Sequence, residues 1–265
     1  MNHIVIENLC KYFGDSGNRV DVLRNINLSV RRGEFLTLFG PNGCGKTTLV
    51  NIVAGIENYD SGILKINETH SDPGTANPGV SYVFQDYRET LMPWLNAGEN
   101  ICFPLLLQGV NKIYRHSKLN DLLERFGVTI KPKAKIYTLS GGQAQLVSIL
   151  RALITNPEIL ILDEPFSALD YQTCLSLYDK ILDIWRRAGV TVLFISHEID
   201  EALYLGDRTV FLSRRPATIL DILQNEMPRP RTLDMMGSPE FASLKKKAID
   251  IFQGEIIRGN TVNQK

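Results

Sequence analysis

Cysteine is scarce in this chain, and its four copies (Cys10, Cys44, Cys102 and Cys174) are scattered. None forms a C-x-x-C pair, which excludes a zinc knuckle and a dithiol redox motif. Isolated thiols of this kind are expected to stay reduced, as in a cytosolic protein. Long apolar runs are missing as well. The most apolar stretches, Ile101 to Leu107 and Ile159 to Leu162, are far too short to span a bilayer. The start, MNHIVIENLCKYFG, lacks the basic region and apolar stretch of a signal peptide. An excess of positive charge is absent too: Lys+Arg and Asp+Glu number 29 each, so nothing in the balance suits a nucleic-acid partner. Internal repeats and low-complexity runs do not occur. What remains is an ordinary globular composition, 44% hydrophobic and 22% charged over 265 residues, enough for one large or two small domains.

The pattern along the chain is strands alternating with helices. Strands are expected at Ile4 to Ile6, Leu23 to Val30, Phe35 to Phe39, Gly62 to Ile66, Val80 to Phe84, Ile159 to Leu162 and Val190 to Ile195. A loop from Gly14 to Asn18 separates the first two. Leu49, Ile52 and Val53 share a helical face, which Gly55 would end. From about Asn96 to Asn156 the pattern is mostly helical. Leu175, Tyr178, Ile181, Leu182 and Trp185 mark a helix between the last two strands. This order predicts an α/β fold with a largely parallel sheet and a helical insertion. A tail begins near Arg214. Its MPRPR segment is expected to be extended, because each proline restricts its neighbour. Ser238 and Pro239 should open a last helix with Phe241, Leu244, Ala248 and Ile251 on one face.

Between an apolar strand and a helix lies Gly40-Pro41-Asn42-Gly43-Cys44-Gly45-Lys46-Thr47-Thr48, which fits G-x-x-x-x-G-K-[ST] in the context that motif needs. Glycines let backbone N–H groups turn toward phosphate oxygens, and the helix N-terminus adds positive potential. Lys46 would reach the β- and γ-phosphates, and the Thr47 hydroxyl would hold Mg²⁺. Cys44 reads as a small filler or, alternatively, as a thiol made acidic by the helix terminus. The strand Ile159 to Leu162 ends in Asp163 and Glu164. At the C-terminal end of a buried parallel strand, Asp163 would hold Mg²⁺ and Glu164 would act as general base on the attacking water. Leu139-Ser140-Gly141-Gly142-Gln143 opens a further helix, with Ser140 as its cap. It is either an ordinary capped start or a second anion site that serves a neighbouring chain's nucleotide.

Taken in order, GPNGCGKTT, Gln85 in VFQD, LSGGQ, LILDEP, SALD at 167 to 170 and His197 in ISHEIDEA resemble the ATP-binding cassettes of ABC transporters over nearly the whole chain. The resemblance implies a P-loop NTPase with a RecA-like core sheet, an antiparallel β-subdomain and an inserted α-helical subdomain. The core would be residues 1–87 and 157–213, the helical subdomain 88–156 and a C-terminal extension 214–265. It implies that ATP and Mg²⁺ are used and that ATP is hydrolysed. Phe13 would stack on adenine or, with Tyr12 as its rival for that place, be a core aromatic. Gln85 would sense Mg²⁺ and the attacking water, and His197 would contact the γ-phosphate. Asp170 would lie across a dimer interface, where Ser140, Gly141, Gly142 and Gln143 would close over the ATP of a second subunit, identical or closely homologous, arranged head to tail. One residue departs from the family: the usual x-Q-R after LSGGQ is Ala144-Gln145-Leu146 here.

The stretch Leu91-Met92-Pro93-Trp94 with Glu99-Asn100-Ile101, and the tail FLSRRPATILDILQNEMPRPR followed by SPEF, resemble cassettes of the nitrate, sulfonate, taurine and bicarbonate importers. That resemblance implies an integral membrane permease as partner, a solute-binding protein acting through it, and a peripheral place on the cytoplasmic face of the inner membrane. Met92 and Trp94 would line the groove for a permease helix, or pack in the local core. The rival readings are a soluble ATPase of DNA repair or translation, an exporter cassette and a non-hydrolysing regulator. The first usually carries two cassettes, coiled-coil arms or basic linkers; intact Lys46, Asp163, Glu164 and His197 oppose the last.

Overall fold

The structure, a computed structural model of the chain, describes residues 1–15 and 17–262, with side chains described to residue 254. Of the loop expected at 14–18, Ser16 lies outside the described residues. In chain order the strands and helices are β1 (Asn2–Phe13), β2 (Val20–Arg31), β3 (Phe35–Phe39), α1 (Lys46–Ala54), β4 (Ser61–Ile66), β5 (Thr69–His70), β6 (Val80–Val83), α2 (Tyr87–Thr90), α3 (Ala97–Leu107) and α4 (Lys112–Arg125). There follow α5 (Gly141–Leu153), β7 (Ile159–Asp163), α6 (Tyr171–Ala188), β8 (Thr191–Ser196), α7 (Ile199–Leu205), β9 (Arg208–Leu212), β10 (Ile219–Gln224) and α8 (Pro239–Val262). The fold is α/β, and the chain divides into two compact units, residues 1–78 with 191–265 and residues 79–190.

The first unit holds an antiparallel sheet in the order β2-β1-β4-β5. Ile4, Ile6 and Leu9 of β1 and Ile26, Leu28 and Val30 of β2 are buried, one face of each strand. The same unit carries β10, β9, β3 and β8 in that order, with β9, β3 and β8 parallel and β10 antiparallel at the edge. Every residue of β3, β8 and β9 is buried, as parallel strands covered on both faces require. Burial includes a charge: Arg208 opens β9 and donates from Nε and Nη2 to the Glu34 carboxylate and from Nη2 to the Ser29 carbonyl. Gly55 ends α1 in the left-handed conformation, φ 76°, and a Cβ there would meet the Thr75 carbonyl at 2.0 Å, so only glycine fits.

In the second unit β6 and β7 pair in parallel, Val80 with Ile159 through Val83 with Leu162. Helices α3 and α5 each start with a complete capping box, Asn96 with Glu99 and Ser140 with Gln143. Along α6 the core face is turned slightly from the one expected: Leu177, Tyr178, Ile181, Leu182 and Ile184 are buried, while Leu175 and Trp185 are half-buried.

The tail is more structured than the sequence suggests. Beyond Arg214 it forms β10, then a bend at Arg229 and Pro230, a short 3-10 turn and α8. The MPRPR segment is therefore not one extended run, because Arg229 and Arg231 turn inward to carbonyls of α7. The last helix begins at Pro239 with the Ser238 hydroxyl accepting from Phe241 N–H at 3.1 Å, and Phe241, Leu244 and Ala248 are buried.

Candidate functional site

Strand register brings the first group of residues together. Phe39 pairs with Ser196, so Gly40 and His197 leave adjacent parallel strands at the same end. From Gly40 the chain loops back into α1. Gly43, φ 74°, faces open space, and a Cβ on it would touch nothing within 4 Å. Gly45, φ 124°, packs against β2; a Cβ there would lie 3.0 Å from Leu23 and Val22. The loop is thus tight underneath and open above, the shape a phosphate cradle needs. Lys46 is buried at 4% exposure and donates from Nζ to the carbonyls of Gly40 at 2.8 Å and Pro41 at 3.2 Å. Its ammonium is held where an anion in the loop would meet it. Thr47 is exposed and Thr48 half-buried beside it. Cys44 is buried, and burial pushes its thiol up although Lys46 opposes this. The acidic-thiol reading is therefore set aside: Cys44 fills space beneath Gly40, whose Cβ position lies 3.2 Å from its Sγ. His197 is 39% exposed, with Nε2 3.7 Å from a Glu198 carboxylate oxygen.

At the end of β1, Phe13 is 42% exposed, with the Lys11 ammonium 4.6 Å from its ring centroid. The rival Tyr12 is half-buried and has the Arg19 guanidinium 3.7 Å over its ring. Phe13 is the more accessible of the two platforms.

The second unit groups the acids. Asp163 closes β7, is 4% exposed, and accepts from the Tyr82 hydroxyl at 2.9 Å. Burial and the adjacent carboxylate raise the Tyr82 phenol far above its ordinary range, so it remains a donor. Glu164 takes φ 42°, unusual for a residue with a side chain, and its carboxylate accepts from Gln85 Nε2 at 3.2 Å. This turn carries Glu164 out of the strand, and two hydrogen bonds from Ser167 to its carbonyl hold it. Replacing Tyr82 by Phe would leave Asp163 without this donor. If Asp163 holds the metal, half-saturation by Mg²⁺ should rise about tenfold, the usual effect of losing a partner behind a metal ligand. A Mg²⁺ titration of ATP hydrolysis measures it, and an unchanged midpoint would separate Asp163 from the metal.

In the same unit the LSGGQ and SALD segments meet. A Cβ on Gly141 would sit 2.8 Å from Leu169 Cδ2, and one on Gly142 2.8 Å from Thr173 Cγ2. These glycines are needed for contact within the chain. Ser140 and Gln143 remain exposed. Asp170 caps α6, accepting from Thr173 N at 3.0 Å and Thr173 Oγ1 at 2.6 Å; these bonds, the hydroxyl's first, hold its carboxyl below the usual range. Leu146, where the family carries arginine, is half-buried.

Sequence reasoning missed Tyr82, and only strand pairing could have found it: Tyr82 is opposite Ile161, two residues before Asp163. It also missed the tail residues that grip α7.

Comparison with known proteins identifies the family and agrees with the fold. The ABC transporter family profile matches residues 23–167. An uncharacterized ABC transporter ATP-binding protein of Methanocaldococcus jannaschii is 43% identical over 254 residues, 96% of this chain and 92% of its own. The aliphatic sulfonates import ATP-binding protein of Bacillus subtilis is 38% identical over 245 residues, 92% of this chain and 91% of its own. Among solved structures, the dimeric post-hydrolysis state of an ATP-binding cassette bound to ADP and Pi aligns with TM-score 0.70 at 26% identity, covering 85% of this chain and all of that one. With its P-loop, its strand-end acid pair and its LSGGQ helix each in the expected local setting, the chain belongs to the ABC transporter family and is an ATP-hydrolysing cassette of it.

Proposed function

We propose that this cassette drives an importer for a small anion of the sulfonate, taurine, nitrate or bicarbonate class, through a separate integral membrane permease supplied by a solute-binding protein. The observation that carries the reading is the likeness, over more than nine-tenths of the chain, to ATP-binding proteins named for aliphatic sulfonate import. Among the described residues no helix is long and apolar enough to cross a membrane, so the channel would come from other chains. The cassette would sit peripherally on the cytoplasmic face of the inner membrane.

Two cassettes, the same or closely homologous, would bind two ATP molecules head to tail. In each site the loop from Gly40 to Thr48 would hold the phosphates and Phe13 the adenine. Ser140 to Gln143 and Asp170 of the opposite chain would complete it. Thr47, Gln85 and Asp163 would hold Mg²⁺; a hydroxyl, an amide oxygen and one carboxylate form a hard oxygen set, and Mg²⁺ takes its remaining ligands from phosphates and water. When bound, the ion neutralises charge on the β- and γ-phosphates. Glu164 would take the proton of the attacking water, with Gln85 orienting both, and His197 would contact the γ-phosphate. The opposite chain's contacts to the nucleotide would exist only in the closed dimer, so ATP would favour closure and hydrolysis would release it. Residues 88–156 would form the subdomain that relays this to the permease.

Trp94 supports the permease contact. It is 73% exposed, which removes the core-packing reading for this side chain. The backbone before it is fixed by Asn100, which accepts from Met92 N at 2.8 Å and donates to the Met92 carbonyl at 3.0 Å. A rigidly presented, exposed tryptophan suits a binding anchor. Trp94→Ala should cut co-purification with the permease at least about tenfold, the loss of a single anchoring side chain. Melting temperature should stay unchanged, since nothing is uncovered. Retained association would remove Trp94 from the interface, and a soluble ribonucleoprotein as the captured partner would overturn the importer. Uptake of labelled taurine, alkyl sulfonate, nitrate and bicarbonate by the reconstituted complex separates the solutes.

A further inference from the structure

The helix that follows His197 is gripped at its far end by the tail. Arg231 is 5% exposed and donates from Nη1 to the carbonyls of Tyr204 at 2.7 Å and Gly206 at 2.8 Å. Asn225 Nδ2 donates to the carbonyl of Leu203 at 2.6 Å, and Arg229 Nη2 to that of Leu205 at 2.6 Å. Four successive carbonyls at the end of α7 are thus capped by side chains of the tail. Lys245 of α8 adds an ion pair to Asp200 in the first turn, 2.7 Å. The guanidinium of Arg231 is lowered to about 10, by burial first and then by Arg229, and so stays charged at neutral pH.

Such capping matters because α7 has only seven residues. A helix of two turns is not stable alone in water, and unmet carbonyls at its C-terminus add to the cost. Cationic donors at that end satisfy them and favour the helix dipole. At the other end, the Ser196 hydroxyl accepts from Glu198 N at 2.9 Å and donates to the Glu201 carboxylate. His197 is the residue between these anchors. Its backbone has the end of β8 on one side and the first turn of α7 on the other. If α7 frays or shifts, His197 moves with its first turn.

We propose that Arg231, helped by Asn225 and Arg229, is a positioning residue for His197: by capping α7 the tail fixes the histidine beside the phosphate loop. The consequence for catalysis rests on the reading of His197 as a γ-phosphate contact. The adenine and the other phosphates are held elsewhere, so loosening should lower kcat and leave KM nearly unchanged.

The test uses the full chain with Mg-ATP and compares Arg231→Met, Arg231→Lys and His197→Ala. Arg231→Met should lower kcat about tenfold with KM within about twofold, the pattern of an interaction lost in the transition state. Arg231→Lys, which keeps the charge and part of the capping, should recover most of it. The chain has four histidines, His3, His70, His116 and His197, so imidazole NMR resolves each. The His197 resonance should shift or broaden in Arg231→Met while the other three stay in place. Where Arg231→Met does not fold, Asn225→Ala and Arg231→Lys carry the same measurement, with smaller shifts expected. A lower melting temperature with an unmoved His197 resonance and unchanged kcat would overturn the positioning role. A shifted resonance combined with full activity of His197→Ala would leave the clamp standing and remove the γ-phosphate role instead.

Discussion

Glu164→Gln is expected to bind ATP and hydrolyse it at least about a hundredfold more slowly, the lower range for loss of a general base. The substitution is nearly isosteric, and the reason for so large an effect lies in the local geometry. Glu164 leaves β7 through a left-handed turn at φ 42°, held by Ser167, and its carboxylate accepts from Gln85 Nε2. A glutamine there keeps an oxygen for the same bond, so position and packing survive. What it loses is the ability to take a proton from water at neutral pH. The γ-phosphate then stays intact, and the closed head-to-tail dimer that ATP favours should accumulate. Phosphate release gives the rate, and size-exclusion chromatography with and without ATP gives the dimer. Turnover at the unmodified rate would remove Glu164 from the role of base. Slow turnover with no ATP-dependent dimer would keep the base and discard the closed-dimer mechanism.

Much of this site is legible without coordinates because its parts are local in sequence. The phosphate loop, the strand ending in Asp163 and Glu164, and the cap at Ser140 each place their chemistry within a few residues of a strand or helix end. Strand β3 matches its expected bounds, Phe35 to Phe39, because four of its five residues are apolar, the fifth is the β-branched Thr37, and a glycine turn follows. The legible parts stop where pairing across the chain decides. Tyr82 looks like one more strand residue until the register of β6 on β7 sets it near Asp163. The tail suffers most. Its prolines and arginines read as an extended segment, since each proline restricts its neighbour. The carbonyls that draw Arg229 and Arg231 inward belong to α7, more than 20 positions earlier in the chain. Exposure was illegible too: whether Trp94 packs or projects depends on how Asn100 fixes Met92, and composition cannot show that.

Arg208→Met should be strongly destabilising, costing about 3–5 kcal/mol, the range for breaking a buried ion pair. The side chains of Arg208 and Glu34 are 9% and 5% exposed, and the guanidinium also donates to the Ser29 carbonyl. Glu34 has a second donor, Arg31 N at 2.7 Å, but among the described residues Arg208 is the cation paired with it. Removing Arg208 therefore leaves a carboxylate in the interior with one neutral hydrogen bond. For a chain of this size the melting temperature should fall by about 10 °C. The attraction within the pair is not what is lost, since taking both charges out of water offsets most of it. The double variant Glu34→Leu with Arg208→Met should accordingly return to within about 1–2 kcal/mol of the parent. Denaturant unfolding of the single and double variants decides the point. If both are equally unstable, Arg208 matters as packing and as a donor to Ser29 and not through the charge of Glu34. The position of the pair ties the result to the nucleotide. Arg208 begins β9, and the strand ends at Leu212, whose carbonyl lies 3.0 Å from where a Cβ on Gly40 would be. β9 thus supports the first residue of the phosphate loop. ATP binds the folded form, so by mass action saturating nucleotide should restore part of the lost stability, about 2.7 kcal/mol at a hundredfold excess over Kd. A single variant that ATP fails to stabilise would show that β9 is required to hold the loop, and that fold stability and nucleotide binding depend on the same strand.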